Sequence, residues 1–273
     1  MTDDAGDPLM PTENALLLKV EGLGKHFGGV RALEDYNLTL RDGELMGLIG
    51  PNGAGKTTVF NLITGVIRPT KGHVFFRGKD ITHSRPDQNA ALGMARTFQN
   101  IRLFKQLSVI DNVKVGVHMH HGTGLWATAL NLPNLRRSEQ AIEERALEIL
   151  SAFGLMDYKE ELAENLPYGD QRKVELGRAL ATAPRLLLLD EPAAGMNPQE
   201  TGEIIRLISR IRQEYDLTIL LVEHNMKVIM GACESIQVID RGEVLCLGTP
   251  EEIQHDPRVI EAYLGKPKGE GHA

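Results

Sequence analysis

Residues 50–57 read Gly-Pro-Asn-Gly-Ala-Gly-Lys-Thr, so Gly50, Gly55, Lys56 and Thr57 fit the spacing G-x-x-x-x-G-K-[ST] of a phosphate-cradling loop. Glycines at 50, 53 and 55 allow backbone conformations that a side chain would block, so that N–H groups can converge on one anion. Lys56 can reach the outer phosphates of a nucleoside triphosphate, and the Thr57 hydroxyl suits Mg²⁺. A helix opening near Gly55 would aim its positive end at the same phosphates. The apolar run Leu45–Ile49 before the loop, and Lys56-Thr57-Thr58 opening a helix after it, supply the strand and helix that the motif requires. The stretch is read as a nucleoside-triphosphate site.

Three later stretches carry chemistry that would serve such a site. Leu186-Leu187-Leu188-Leu189 is a continuous apolar run, as in a strand buried on both faces, and Asp190-Glu191-Pro192 follows it. Carboxylates at a strand end face the crevice where α/β sheets bind ligands. Asp190 suits Mg²⁺, directly or through water, and Glu191 suits a general base that activates water. Leu217–Val222 is a second buried strand ending at Glu223-His224, where a histidine can contact a γ-phosphate and position the attacking water. In Ala95–Asn100 the Gln99 amide could complete a Mg²⁺ shell or orient a water; taken by itself it reads as a surface glutamine. Phe27, before Gly28-Gly29, could stack on a purine, and taken by itself reads as packing.

The elements that must position these residues follow from periodicity. Leu16 to Leu40 alternates as strands, with Leu38 and Leu40 on one face and Asn37 and Thr39 on the other. His73 to Thr82 reads as a hairpin turned at Arg77-Gly78-Lys79-Asp80. Leu103, Phe104, Leu107, Val109 and Ile110 are apolar, and a polar loop with Trp126 and Pro133 comes after them. From Ser138 a helix presents Ile142, Ala146, Ile149, Leu150 and Phe153 on one face, so residues of about 90–165 read as a mostly helical insertion in an otherwise alternating α/β chain. Leu166-Pro167-Tyr168-Gly169-Asp170-Gln171-Arg172 opens a helix to about Thr182, with Pro167 suited to its first position. Ile204, Leu207, Ile208 and Ile211 form one face of another helix, and Ser235–Gly248 reads as a hairpin turned at Arg241-Gly242-Glu243. His118, His120 and His121 have no partner set at ligand spacing and are read as a solvated loop rather than a metal site.

At 273 residues, 42% of them hydrophobic, the chain is long enough to bury a substantial core. A net charge of −7 argues against a nucleic-acid surface. Two cysteines, Cys233 and Cys246, are too few for a disulfide framework and suit a reducing compartment. Residues 1–14 carry four carboxylates and no Lys or Arg, the opposite of a signal peptide, and are expected to be a solvated tail on a cytoplasmic chain.

Together these motifs resemble the ATP-binding subunit of ABC transporters over residues of roughly 15–265, beyond which 266–273 is a tail. Residues Gly50, Pro51, Asn52, Gly53, Ala54, Gly55, Lys56, Thr57 and Thr58 take the place of Walker A, and Gln99 that of the Q-loop. Leu166, Pro167, Tyr168, Gly169 and Asp170 stand as the signature, Leu186–Glu191 as Walker B, His224 as the switch histidine, and Phe27 as the adenine-stacking aromatic. Within that family the stretches Lys25–Gly29, Thr97–Phe104 and Pro257–Gly265 are similar to the LivG-type subunit of branched-chain amino-acid importers. The resemblance implies an α/β fold, a P-loop NTPase core with an N-terminal antiparallel β-subdomain and an inserted α-helical subdomain. It also implies ATP and Mg²⁺, and a dimer sandwiching two ATP molecules between one chain's loop and the other's signature. It implies a permease partner at the cytoplasmic face of the inner membrane, served indirectly by a substrate-binding protein, and no nucleic acid. Leu103, Phe104, Leu107 and Ile110 could line a groove for a permease helix or could equally be core. Urea or another amino acid is an alternative cargo, and a soluble non-transport ABC ATPase a more distant alternative. The chain departs from the common Leu-Ser-Gly-Gly-Gln at Pro167, Tyr168 and Asp170, and has Asn197 where an aspartate is usual.

Overall fold

The computed structural model describes residues 16–121 and 133–264, which fold into two sheets with helices packed on them. The first sheet is antiparallel. Strands β1 (Leu16–Phe27) and β2 (Val30–Arg41) form a long hairpin, β4 (Lys71–Phe76) pairs with β1, and the short β5 (Lys79–Asp80) pairs with β4, giving the order β2-β1-β4-β5. The expected alternation holds, since Leu38 and Leu40 are buried while Asn37 and Thr39 are exposed.

The second sheet takes the order β10-β9-β3-β8-β7-β6. Its strands are β3 (Leu45–Ile49), β6 (Met94–Arg96), β7 (Leu186–Asp190), β8 (Thr218–Val222), β9 (Ser235–Asp240) and β10 (Glu243–Gly248). From β9 to β6 every neighbour pair is parallel, and β10 alone runs back as the hairpin partner of β9. The central strands β3, β7 and β8 are buried at every position, which is why they read as unbroken apolar runs. Alternate residues go to opposite faces. Leu45, Ile49, Leu187, Leu189, Ile219 and Leu221 join a core shared with the helices. Met46, Leu48, Leu186, Leu188, Leu220 and Val222 join a second core under the antiparallel sheet and α1 (Lys56–Ile63).

The remaining helices are α2 (Pro86–Ala91), α3 (Val109–His121), α4 (Pro133–Phe153), α5 (Tyr168–Ala181), α6 (Pro198–Glu214), α7 (Met226–Ala232), α8 (Pro250–His255) and α9 (Pro257–Leu264). Helices α3, α4 and α5 pack on one another, and Ile142, Ala146, Ile149, Leu150 and Phe153 are buried between them as expected. Gly116 lets α3 close on α5, because a Cβ there would stand 2.3 Å from the Arg178 carbonyl oxygen.

Four expectations about this region need correction. Strand β6 lies inside the stretch of about 90–165 read as mostly helical and extends the parallel sheet at its edge. Helix α4 begins at Pro133, five residues before Ser138 and at a residue placed in a loop, because proline is accommodated in a first helical turn. His118, His120 and His121 belong to the last turn of α3 and not to a loop, where the helix continues past its buried Val113 and Val117. Pro167 is the N-cap of α5 and not its first residue: with ψ at 150° it is still extended, and Tyr168 starts the helix. Trp126, residues 1–14 and residues 266–273 lie outside the described residues.

Candidate active site

Parallel strands deliver their carboxyl ends to one edge of the sheet, and the chemistry-bearing residues follow those ends. The glycine loop leaves β3, Asp190 ends β7 with Glu191 next, Glu223-His224 follows β8, and Gln99 lies just past β6. These strands are neighbours, in the order β3-β8-β7-β6, so residues up to 174 positions apart in sequence meet at one rim.

The loop is built tightly against the sheet. A Cβ at Gly50 would lie 2.1 Å from the Ile239 carbonyl oxygen, so only glycine fits. The Lys56 ammonium folds back across the loop and donates to the carbonyls of Gly50 (2.6 Å) and Pro51 (3.0 Å). Its pKa is lowered by burial, against which Glu191 and Asp190 act to raise it. Asn52, Gly53 and Thr57 are exposed at the rim and Ala54 is buried. Gly55 caps α1 without a side-chain bond, so the first-turn N–H groups take no side-chain partner there. A glycine cradle, a lysine and an uncapped helix end form a donor set that fits a polyphosphate. Thr57 and Asp190 supply hard oxygens that fit Mg²⁺.

Asp190 is 5% exposed and paired with Arg96 at 2.9 Å. Arg96 also donates to Asn61 Oδ1 (2.7 Å) and lies against the rings of Phe60 and Phe98. Glu191 adopts φ of +48°, a left-handed conformation that a glutamate tolerates only when neighbours hold it. Its N–H donates to the Val222 carbonyl (2.9 Å). Its Oε2 accepts from Gln99 Nε2 (3.0 Å) and faces His224 Nδ1 at 3.6 Å. The structure thus brings Gln99, Glu191 and His224 together, with Asp190 next along the chain and Lys56 within electrostatic reach of both carboxylates. A carboxylate held between an amide and an imidazole can take a proton from water.

Phe27 is half exposed on the β1–β2 hairpin, with the Lys25 ammonium 5.1 Å from its ring centre. The signature residues stand elsewhere. Leu166 is buried, while Pro167, Gly169 and Asp170 line a separate cleft of about 310 Å³ with Asn197 and Glu200, in which no residue of the glycine loop takes part. Tyr168 is exposed beside Gly195. Asn197 caps α6: its Oδ1 accepts from the N–H groups of Gln199 (2.9 Å) and Glu200 (3.0 Å), and Glu200 Oε2 accepts from the Asn197 N–H (2.9 Å). Asparagine serves here as well as aspartate would.

The four apolar residues past Gln99 divide. Leu103 and Phe104 line a groove of about 690 Å³ with Val115, Met119 and Arg178, and Phe104 is 51% exposed. Ile110 is core, and Leu107 is partly exposed outside the groove.

Charged residues that sequence reasoning did not single out hold this rim together. Glu223, 1% exposed, accepts from the N–H groups of Ala193 (3.0 Å), His224 (3.2 Å) and Asn225 (3.4 Å), tying the loop after β7 to the loop after β8. Arg172 and Glu175 are buried as an ion pair on α5. Arg172 stands in line with Leu176 and Leu180, and a charge on that apolar stripe was the readable signal.

Known proteins resemble this chain in sequence and in fold. A family model described as "ABC transporter" matches residues 33–194, and one described as "Branched-chain amino acid ATP-binding cassette transporter" matches residues 243–268. The high-affinity branched-chain amino acid transport ATP-binding protein LivG of Escherichia coli is 46% identical over 250 residues, which cover 92% of this chain and 98% of that one. The chain belongs to the ABC transporter family. A solved ATP-binding cassette of an ABC transporter, in its ADP conformation, has this fold with a TM-score of 0.80 and 29% identity, covering 92% of this chain and 100% of that one. A dimeric cassette in a post-hydrolysis state, bound to ADP and Pi, matches with a TM-score of 0.72 and 25% identity over 86% of this chain and 99% of that one. As an ABC subunit the chain is an ATPase with the expected mixed α/β fold. No described helix is long and apolar enough to cross a membrane.

Proposed function

We propose that the chain binds and hydrolyses ATP for an ABC importer, powering uptake of branched-chain amino acids through a membrane permease. The observation that carries the reading is the meeting of Gln99, Glu191 and His224 at the strand ends, beside Lys56 and Asp190. The sequence of residues 243–268 points to branched-chain amino acids as cargo.

In this reading Lys56, Thr57, Thr58 and the loop Gly50–Gly55, through the N–H groups of its residues other than Pro51, grip the phosphates, Phe27 stacks on the adenine, and Thr57, Gln99 and Asp190 would hold Mg²⁺. When bound, Mg²⁺ and ATP supply the transferable γ-phosphoryl group and the cation that offsets its charge. Glu191 accepts the proton of the attacking water, Gln99 fixes the carboxylate's direction, and His224 orients the water from the exposed side. Pro167, Gly169 and Asp170 line a cleft in which the chain's own glycine loop takes no part, and with Leu166 and Tyr168 they complete the site of a second ATPase subunit. Leu103 and Phe104 receive a permease helix, and that contact holds the subunit at the cytoplasmic face of the inner membrane. A substrate-binding protein delivers cargo on the other side. The ATPase domain spans residues 15–265.

The test is reconstitution with the neighbouring permease and binding-protein genes in vesicles. ATP-driven leucine uptake is expected, with Lys56→Ala silent through loss of charge-assisted phosphate contacts. Glu191→Gln is expected to keep ATP binding while turnover falls by roughly 10²–10⁴-fold. A fully active Glu191→Gln removes Glu191 as the base, and ATP hydrolysis without leucine uptake removes the cargo assignment.

A further inference from the structure

Arg172 is the largest fully buried side chain of the described residues, and its position is unusual for a cation. It lies on α5 at 0% exposure, with Glu175 as its counter-charge at 2.8 Å. Burying such a pair costs desolvation that the pair alone seldom recovers, so its other contacts matter. Nη1 donates to the Phe98 carbonyl (2.7 Å), and Nη2 donates to the carbonyls of Gln99 (2.7 Å) and Glu191 (3.4 Å). Residues Phe98–Phe104 form neither strand nor helix, so these carbonyls need a donor from elsewhere. Glu175 adds the reciprocal contact, its Oε1 accepting from the Arg102 N–H at 3.1 Å.

We propose that Arg172 is a positioning residue that sets the hydrogen bond between Gln99 and Glu191. The guanidinium grips the backbone at both ends of that bond, at the Gln99 and Glu191 carbonyls, while the side chains meet at 3.0 Å. Glu191 is also held in its left-handed conformation by the same contact and by the Val222 carbonyl. Nη2 alone reaches the Gln99 and Glu191 carbonyls while Nη1 holds the Phe98 carbonyl and Glu175, and a planar fork can hold all four acceptors at once where a point-like ammonium with three donors cannot. The inference rests on the proposed role of Glu191 as base and adds the group that aims it.

The test uses the full-length chain with its permease. Wild type must hydrolyse ATP and Lys56→Ala must not; failure there overturns the proposed function and leaves the clamp to be judged by exchange. Arg172→Lys is expected to lower kcat at least about tenfold while KM for ATP moves less than about twofold. Gln99→Ala should absorb that effect: adding Arg172→Lys to it should lower kcat by no more than about twofold again, because residues acting through one bond are not additive. In the nucleotide-free chain, hydrogen exchange of the Arg102 amide should quicken at least about tenfold, while strands β7 and β8 keep wild-type protection. If Arg172→Lys fails to fold, Arg172→Gln combined with Glu175→Gln removes both buried charges together and carries the same expectations. An unchanged kcat, additive losses with Gln99→Ala, or wild-type exchange at Arg102 overturns the proposal.

Discussion

Replacing Phe104 by serine separates a docking residue from a core residue, and the structure sets the size of the effect. The ring is 51% exposed, so it gains about half of the roughly 1.5–3 kcal/mol that full burial of an apolar side chain contributes. The Arg178 guanidinium lies 5.3 Å from the ring centre and adds about 0.5–1 kcal/mol. The local backbone does not depend on the ring, because the Phe104 N–H and carbonyl are both held by the Asn112 amide at 3.0 Å. The expected cost is therefore about 1–2.5 kcal/mol, against about 3–5 kcal/mol for removing a fully buried phenylalanine such as Phe60. Calorimetry of Phe104→Ser and Phe60→Ser should show a drop in Tm about half as large for the first, at roughly 2–4 °C per kcal/mol for a chain of this size. The same Phe104→Ser subunit should keep ATP binding yet fail to copurify with the permease. Equal melting of the two variants refutes the exposure argument, and normal copurification refutes the groove as the permease seat.

Other changes test separate parts of the structure. Asn197→Ala should lower stability in urea by about 1 kcal/mol through loss of the α6 cap, whereas Asn197→Asp should match wild type or exceed it by about 0.3–1 kcal/mol. Pro167→Ser restores a hydroxyl and an N–H at the start of α5, and should raise ATPase in the assembled transporter by up to roughly tenfold; an unchanged rate in a folded variant removes any catalytic cost of the proline. Burial pushes the Cys233 thiol up to about 12, and burial with the Asp256 charge pushes Cys246 up to about 11, from 9.0. At pH 8 the folded chain should therefore react with a disulfide reagent about a hundredfold more slowly than after unfolding. Hydrogen bonds from Arg258 hold the Asp256 carboxyl down to about 2 from 3.8. That contribution is present above the unfolded value and lost as pH falls toward 2, so Asp256→Asn should flatten the fall of Tm across that window.

The parts of the fold legible in the sequence are those fixed by local pattern. Leu186–Leu189 and Leu217–Val222 are apolar at every position because both faces of their strands are covered, and that reads directly as central parallel strands. The glycine loop reads from spacing alone, because Gly50 must pass within contact of the Ile239 carbonyl and no side chain fits. Element boundaries were less legible where local rules permit two outcomes. Proline fits either a loop or a first helical turn, and α4 at Pro133 used the second; an extended proline can equally precede a helix, as Pro167 does. Strand β6 is three residues long and is held as a strand by pairing with β7, a long-range partner that no window around Met94 contains.

The buried charges were the least legible, for a reason that bears on how the rim works. Arg96, Arg172, Glu175 and Glu223 are surface residue types, and apart from the place of Arg172 on the stripe of Leu176 and Leu180 no local pattern announces their burial. Each is held inside by a partner from another element: Arg96 by Asp190 and Asn61, Arg172 by the Phe98 and Gln99 carbonyls, Glu175 by the Arg102 N–H, and Glu223 by the Ala193 N–H, while the Nε atoms of Arg96 and Arg172 are buried with no hydrogen-bond partner. Every one of those partners is a site residue or lies within about one helical turn of one. The loops that carry Gln99, Asp190, Glu191 and His224 therefore share their hydrogen bonds instead of completing them locally. A displacement of one loop leaves a buried charge unpaired in the next, at a cost of about 3–5 kcal/mol for a broken buried pair. Such a rim favours a few whole arrangements over gradual deformation, which is the property an ATPase needs if losing one phosphate is to move a distant surface.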